Sequence, residues 1–163
     1  MSADEAPIVE ALNALGIAFE RHEHPPIASA VGTEELWPQI DGVQTKNLFL
    51  TNAKRTRFYL VVLDHVKRAD LRLVSEQIGD GRLSFGSPER LMTHLKVAPG
   101  SVSALGLIHD TANAVTVYLD EALKAAARIS FHPNINTVTL VLSFADFLRF
   151  LRETGHEPAF IRV

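Results

Sequence analysis

Apolar positions recur along this chain in two periods, one close to a helical turn and one alternating, and the switches between them divide the chain into elements. Ile8, Leu12 and Leu15 fall on one helical face. They predict a first helix capped by Asp4 ahead of Ala6-Pro7 and closed by Gly16. An extended segment runs from Ile17 toward His22, and His24-Pro25-Pro26 forces an extended turn. Thr33-Glu34-Glu35-Leu36 predicts a short capped helix ending near Pro38, its acids in the first turn facing the positive end. The runs Lys46 to Thr51 and Thr56 to Leu63 flank the polar turn Asn52 to Arg55 and predict a hairpin.

Asp70 and Ser87-Pro88 are N-cap signals for helices near 70–78 and 88–95, with a short extended piece from Arg82 to Phe85 between them. Strands are expected at Ser103 to Leu107, Val115 to Leu119, Ala127 to Phe131 and Thr137 to Leu142. Ser143 with Asp146 starts a last amphipathic helix, apolar at Phe144, Phe147, Leu148 and Leu151, which Gly155 ends. Strands and helices interleave, yet the early pairing is a tight hairpin. The pattern therefore favours an α+β fold, a single-domain mixed β-sheet with flanking helices, over a doubly wound parallel sheet.

Composition narrows this picture. A chain of 163 residues, 47% of them hydrophobic, can bury one proper core, and no repeat, linker or low-complexity tract divides residues 1–163. The longest apolar stretches fall far short of the roughly 20 residues a bilayer needs. The N-terminus carries Asp4, Glu5 and Glu10 and lacks the basic-then-apolar order of a secretory signal, which places the protein in the cytoplasm. The absence of cysteine excludes disulfides, thiolate catalysis and Cys-based zinc sites. No Gly-rich phosphate loop is present, which argues against an ATP or NAD enzyme.

The net charge of −3 conceals a segregation. Residues 1–45 hold one base against eight acids, residues 46–96 ten bases against five acids, and residues 97–163 five bases against six acids. The basic middle can meet phosphates while acidic surface elsewhere disfavours indiscriminate polyanion binding. Ordinary solvated surface is the competing explanation.

Three polar clusters interrupt the apolar pattern: Thr45-Lys46-Asn47, Pro99-Gly100-Ser101-Val102, and Phe131-His132-Pro133-Asn134 with Asn136-Thr137. Lys46 opens an apolar strand, where it either snorkels to water at a sheet edge or holds a phosphate or ribose oxygen, with Asn47 adding a directional hydrogen bond. Pro99-Gly100 is the favoured centre of a type II turn, and such a turn can also present backbone N–H groups as an oxyanion or amine cradle. Ser101 lacks the Gly-x-Ser-x-Gly setting of a serine nucleophile. His132 stands at a strand end, as a structural histidine or a site residue. His22 and His24 would share one face of a strand, which suits a metal, but no third ligand accompanies them at evident spacing. Two solvent-facing histidines beside a turn is the simpler reading.

Lys46-Asn47-Leu48-Phe49-Leu50, Pro99-Gly100-Ser101-Val102 through Leu105-Gly106-Leu107, and Phe131-His132-Pro133 with Asn136-Thr137 together resemble the YbaK and prolyl-tRNA-synthetase-associated editing domain family. The resemblance runs from about Ile17 to Leu151. Within the family the chain is most similar to the freestanding ProXp-ala/PrdX-type deacylases, which clear alanine from mischarged tRNA(Pro).

The resemblance implies hydrolysis of the ester between a wrong amino acid and the terminal adenosine of tRNA, with no metal or organic cofactor. It gives catalytic parts to Lys46, Gly100, Ser101 and His132, and substrate-binding parts to Asn47, Pro99, Val102 and Asn136. Lys96 stands where the family's Gly-x-x-Pro-Gly loop has its first glycine. The implied partner is the acceptor end of mischarged tRNA(Pro), handed over freely, by prolyl-tRNA synthetase or by an elongation factor. Cys-tRNA(Pro) or another small misattached amino acid is the nearest rival substrate, and a non-catalytic nucleotide-binding module the rival of another class. Neither a membrane nor duplex DNA is an expected partner, since no basic recognition helix is present.

Overall fold

The computed structural model describes residues 1–26 and 40–163. The short helix expected at Thr33 to Leu36, with Glu34 and Glu35, lies outside the described residues. The strands are β1 (Glu20–Glu23), β2 (Val43–Thr51), β3 (Phe58–Asp64), β4 (Ser84–Phe85), β5 (Val115–Asp120), β6 (Arg128–Phe131), β7 (Val138–Ser143) and β8 (Ala159–Ile161). The helices are α1 (Ala6–Ala14), α2 (Leu71–Ile78), α3 (Pro88–Leu95) and α4 (Phe144–Glu153). The strands form one mixed sheet in the order β1-β7-β6-β2-β3-β5-β8, as the hairpin signal implied.

Side-chain caps set the helix starts. Asp70 accepts from Arg72 and Leu73 N–H, Ser87 from Arg90 N–H, and Ser143 from Asp146 N–H, each satisfying an orphan donor of a first turn. The first helix departs from expectation, because Glu5 rather than Asp4 occupies its cap position and no side chain caps it. The Glu5 carboxylate is instead fully buried and grips the Arg21 guanidinium at 2.5 and 2.9 Å, fastening α1 to β1. A buried carboxylate is tolerated there because a bidentate partner meets it.

The stretch Ser103 to Leu107 is not the expected strand. Ala104–His109 is a 3₁₀ helix, opened by Ser103 Oγ accepting from Leu105 N–H. Gly106 lies so close to Asn134 and the Leu95 carbonyl that an added Cβ would stand 2.9 and 3.0 Å from them. The segment is thus a tight packing turn rather than an edge.

Phe58, Leu60 and Val62 of β3 face the main core with Val115, Val117 and Leu119 of β5, and α1, α3 and α4 cover that face. Phe131 and Phe147 meet there with ring centroids 4.5 Å apart. Each such buried side chain contributes roughly 1.5–3 kcal/mol. The other face carries a smaller cluster of Leu50, Tyr59, Val61, Val74, Leu83 and Ile161, closed by α2. Apolar residues on both faces explain why β3 reads as an unbroken apolar run.

Candidate functional site

Strand β2 is shared between neighbours, and that division makes the site. Along one edge it pairs with β3 from Thr45 to Thr51. Along the other it pairs in parallel with β6 at Val43 and Gln44, then antiparallel with β4 at Leu50 and Thr51. Between those contacts the edge from Lys46 to Leu48 has no strand partner on that side. A crevice where parallel strands separate is a usual place for a ligand in a mixed sheet.

Gln44 lies opposite Ser130 in the parallel register, so continuing the count sets Lys46 level with His132, just where β6 has ended. Residues two apart on a strand share a face, so Gln44, Lys46, Ser130 and His132 all belong to the face opposite the main core. The clusters around Lys46 and His132, distant in sequence, meet across this parting. The Lys46 ammonium has no hydrogen bond or ion pair among the described residues.

The third cluster is tied to the same point from the strand's other face. Asn47 Oδ1 accepts from Ala104 N–H at 3.0 Å, and its amide donates to Thr45 Oγ1 at 3.2 Å. Thr45 Oγ1 in turn donates to the Ser130 carbonyl at 2.8 Å. This chain spans β6, β2 and the segment that follows Pro99-Gly100-Ser101. Asn47 therefore spends its amide on holding the loop and the strand edge together.

Ser101 N–H donates to the Ala98 carbonyl at 3.3 Å, and Gly100 has φ +93° at the third position, which is the type II turn that Pro99-Gly100 predicts. The Gly100 N–H and the Ser101 hydroxyl have no partner among the described residues. Lys96, at the family's first glycine position, holds φ +56° as the C-terminal cap of α3. The position demands the left-handed conformation that glycine adopts freely, and lysine adopts it under strain. Val102 is half-buried against the main core, and Asn136 is half-buried in the turn before β7.

His132 Nδ1 faces the Val138 carbonyl at 2.9 Å, so Nδ1 carries the proton and Nε2 is left as an acceptor. Burial holds its pKa below the ordinary histidine value; the Val138 hydrogen bond opposes this, and nearby His24 adds to it. The His24 ring lies 5.8 Å from it between centroids. His24 is buried, contrary to the solvent-facing expectation, because Nδ1 meets the Pro25 carbonyl and Nε2 meets Thr139 Oγ1 at 2.8 Å. His22 is half-exposed and leans toward Glu20 at 3.5 Å. No three acidic or histidine side chains among the described residues converge to hold a metal.

Gln44, Thr45, Ser130, Phe131, His132 and Thr139 line a half-open cavity of about 20 Å³ beside these groups. Sequence reasoning passed over Gln44, Ser130 and Thr139. The usable signal was the alternation of polar Ser130 and His132 within the otherwise apolar end of β6. A larger concavity of about 680 Å³ lies between α2 and the Gly79 to Leu83 turn, open to solvent and lined by none of the candidate residues. The chemistry argues for the smaller space, where polar groups converge.

The basic segment is partly spent on ion pairs, Lys67 with buried Asp120 at 2.6 Å and Arg72 with Glu76 at 3.4 Å. Lys54, Arg55 and Arg82 form none among the described residues. No helix among those residues is long and apolar enough to cross a membrane.

The fold and site thus define a single-domain mixed-sheet protein whose polar crevice opens where β2 and β6 part. The family model for the aminoacyl-tRNA editing domain matches residues 24–150, and the chain belongs to that family. It is 35% identical over 158 residues to the prolyl-tRNA editing protein ProX of Acetoanaerobium sticklandii, covering 96% of this chain and 94% of that one. It is 34% identical over 160 residues to prolyl-tRNA synthetase associated domain-containing protein 1 of Bos taurus, covering 94% and 91%. Among solved structures, a candidate trans-editing enzyme for prolyl-tRNA synthetase superposes with a TM-score of 0.76 at 20% identity, over 100% of this chain and 99% of the other. That likeness concerns the fold.

Proposed function

We propose that this protein hydrolyses the ester joining a misattached amino acid to tRNA(Pro), with alanine as the preferred error. The observation that carries the reading is the cavity that Thr45 shares with His132 where β2 and β6 part, beside Lys46 on β2, with the segment after the Pro99-Gly100 turn laced to β2 through Asn47 and Ala104. Membership of the editing family and the prolyl-tRNA names of its relatives support it.

An aminoacyl ester is already activated, so positioning and charge stabilisation do most of what is needed. The Lys46 ammonium holds a phosphate or ribose oxygen of the terminal nucleotide. The Gly100 N–H donates to the carbonyl oxygen as charge builds on it. His132 Nε2 accepts a hydrogen bond from water or from the amino group of the substrate. Water adds to the carbonyl carbon, the bond to the ribose oxygen breaks, and that oxygen takes up the proton. The products are free amino acid and intact tRNA.

The space of about 20 Å³ beside His132 has room for about one water, and a second, smaller sieve at this crevice would admit alanine and exclude proline by its ring. Such a second sieve is useful because a pocket built for proline cannot firmly reject alanine. The test is release of amino acid from Ala-tRNA(Pro), Cys-tRNA(Pro) and Pro-tRNA(Pro), with the protein and its Lys46→Ala variant compared. Rapid loss of alanine alone, abolished in the variant, is expected; three stable esters would overturn the reading.

A further inference from the structure

Beyond the crevice, the same edge of β2 carries a feature that ester hydrolysis does not use. Phe85 is 62% exposed, and it is the sole exposed aromatic side chain among the described residues. Its position is fixed rather than incidental. Leu50 lies opposite Phe85, Gly86 N–H donates to the Phe49 carbonyl at 2.9 Å, and a Cβ on Gly86 would stand 2.4 Å from the Phe49 ring. Packing of Gly86 against Phe49 thus holds the β4 backbone while the Phe85 ring stays in solvent.

Phe85 borders a concavity of about 460 Å³ that also takes in Arg55, Arg90, Ser84 and Ser87. Glu89 is the single acid on its wall. Arg55 holds φ +56° at the end of the hairpin turn, a position easier for glycine or asparagine. Asn52 braces that turn by accepting from Thr56 N–H at 2.9 Å and Arg57 N–H at 3.2 Å. The result is a rigid aromatic face with cationic groups beside it, the pairing that binds unpaired nucleotides through stacking and backbone charge.

Opposed residues on paired strands share a face, so the Phe85 side chain sets out on the face of Leu50 and Lys46, while Arg90, 5.8 Å over the Phe58 ring, borders the same concavity from the main-core side at the open edge of β4. Four residues of strand separate Lys46 from Leu50, about 13 Å at ~3.3 Å per residue. That equals about four nucleotides of a stacked strand at ~3.4 Å each, and fewer once bases are splayed.

We propose that Phe85 is a stacking platform for a base of the unpaired 3′ end of tRNA, upstream of the terminal adenosine, with Arg55 and Arg90 neutralising the adjoining phosphates. This rests on the functional reading given above for Lys46 and deepens it: the enzyme would measure a strand as well as an ester.

The test compares wild type, Phe85→Ala, Phe85→Tyr and the double variant Arg55→Ala/Arg90→Ala. Three readouts are taken: kcat/KM on Ala-tRNA(Pro), turnover of alanyl-adenosine, and binding of a short single-stranded RNA ending in CCA. Phe85→Ala should lower kcat/KM on the tRNA by about 5- to 100-fold and weaken the RNA similarly, with alanyl-adenosine turnover unchanged. Phe85→Tyr, which keeps the ring, should stay near wild type. The double variant should flatten the salt dependence of RNA binding. Wild-type behaviour of Phe85→Ala on both tRNA and RNA overturns the proposal, as does an equal loss on alanyl-adenosine. If wild type cleaves neither ester, the functional reading falls, and the RNA arm alone decides whether Phe85 is a platform.

Discussion

Two halves of one sheet face are built on opposite principles. Over β3 and β5 the face carries Leu50, Tyr59, Val61 and Ile161, and α2 seals it with Val74. Over β6 and β7 the same face carries Ser130, Thr139 and His132, together with Gln44 and Lys46 from β2. The first half gains stability by removing apolar surface from water. The second keeps polar groups out of bulk water, and each needs a partner there. The difference teaches that alternation along a strand decides where a fold can hold chemistry, since β3 is apolar on both faces and β6 on one.

The largest effect should come from Lys46→Ala, with a loss in kcat/KM on the order of a hundredfold or more, as for removal of a charge-stabilising group. Urea unfolding should shift by less than about 0.5 kcal/mol, because the ammonium has no partner among the described residues. Equal damage to folding and turnover would break the contrast between the halves. Leu50→Ala should behave in reverse. It should cost about 2–5 kcal/mol in urea unfolding, while turnover per folded molecule is retained.

Asn47→Ala should lie between these, since it strands the Ala104 N–H at a cost of about 1–3 kcal/mol and loosens the loop. Asn47→Asp keeps the acceptor and should recover most of the stability, a rescue that a substrate-contacting amide would not show. The acid side of the stability curve sharpens the comparison further. Burial depresses the His132 pKa in the folded state, so the unfolded chain takes up the proton first as pH falls. Its contribution is complete above the ordinary value of 6.5 and fades as pH drops from there through the lower folded value. His109, also lowered by burial, acts in the same direction. Unfolding at about pH 7.5 and about pH 5 should show a smaller difference in His132→Asn than in wild type. The smallest effect is expected from Lys96→Gly, a gain of about 1 kcal/mol in unfolding free energy from relief of the left-handed lysine.

Much of this architecture was legible because it is local. Asp70, Ser87 and Ser143 announce their helices through caps within three residues, and the hairpin of β2 and β3 is marked by its own turn. Three features were not. Ser103 to Leu107 alternates like a strand until Asn134 and the Leu95 carbonyl compress Gly106 from a distance. Strand β8 is three residues at a sheet edge, too short to show a period. Glu5 looks like a solvated helix acid until Arg21 meets it.

The candidate site divides similarly. His132 stands out at a strand end and Pro99-Gly100 declares its turn, while Lys46, expected to open its strand, stands out as a charge three residues inside β2, which begins at Val43. Gln44, Ser130 and Thr139 look like mere interruptions until the parallel register of β2 with β6 is known. Asn47 reads as a substrate ligand, and its bond to the Ala104 N–H, 57 residues away, shows only in the fold.

The register between Gln44 and Ser130 joins residues 86 apart, and β1 reaches β7 from nearly the opposite end of the chain. Long-range pairings form slowly, because the entropy of closing a large loop is lost before any contact compensates. The β2–β3 hairpin can form while the ribosome is still at work, but the crevice must wait for β6 and β7 to emerge. A chain stalled before Arg128 would hold Lys46 and the Pro99-Gly100 turn yet lack the β6 and β7 wall of the crevice, so the candidate site is completed late in synthesis, with only α4 and β8 still to emerge.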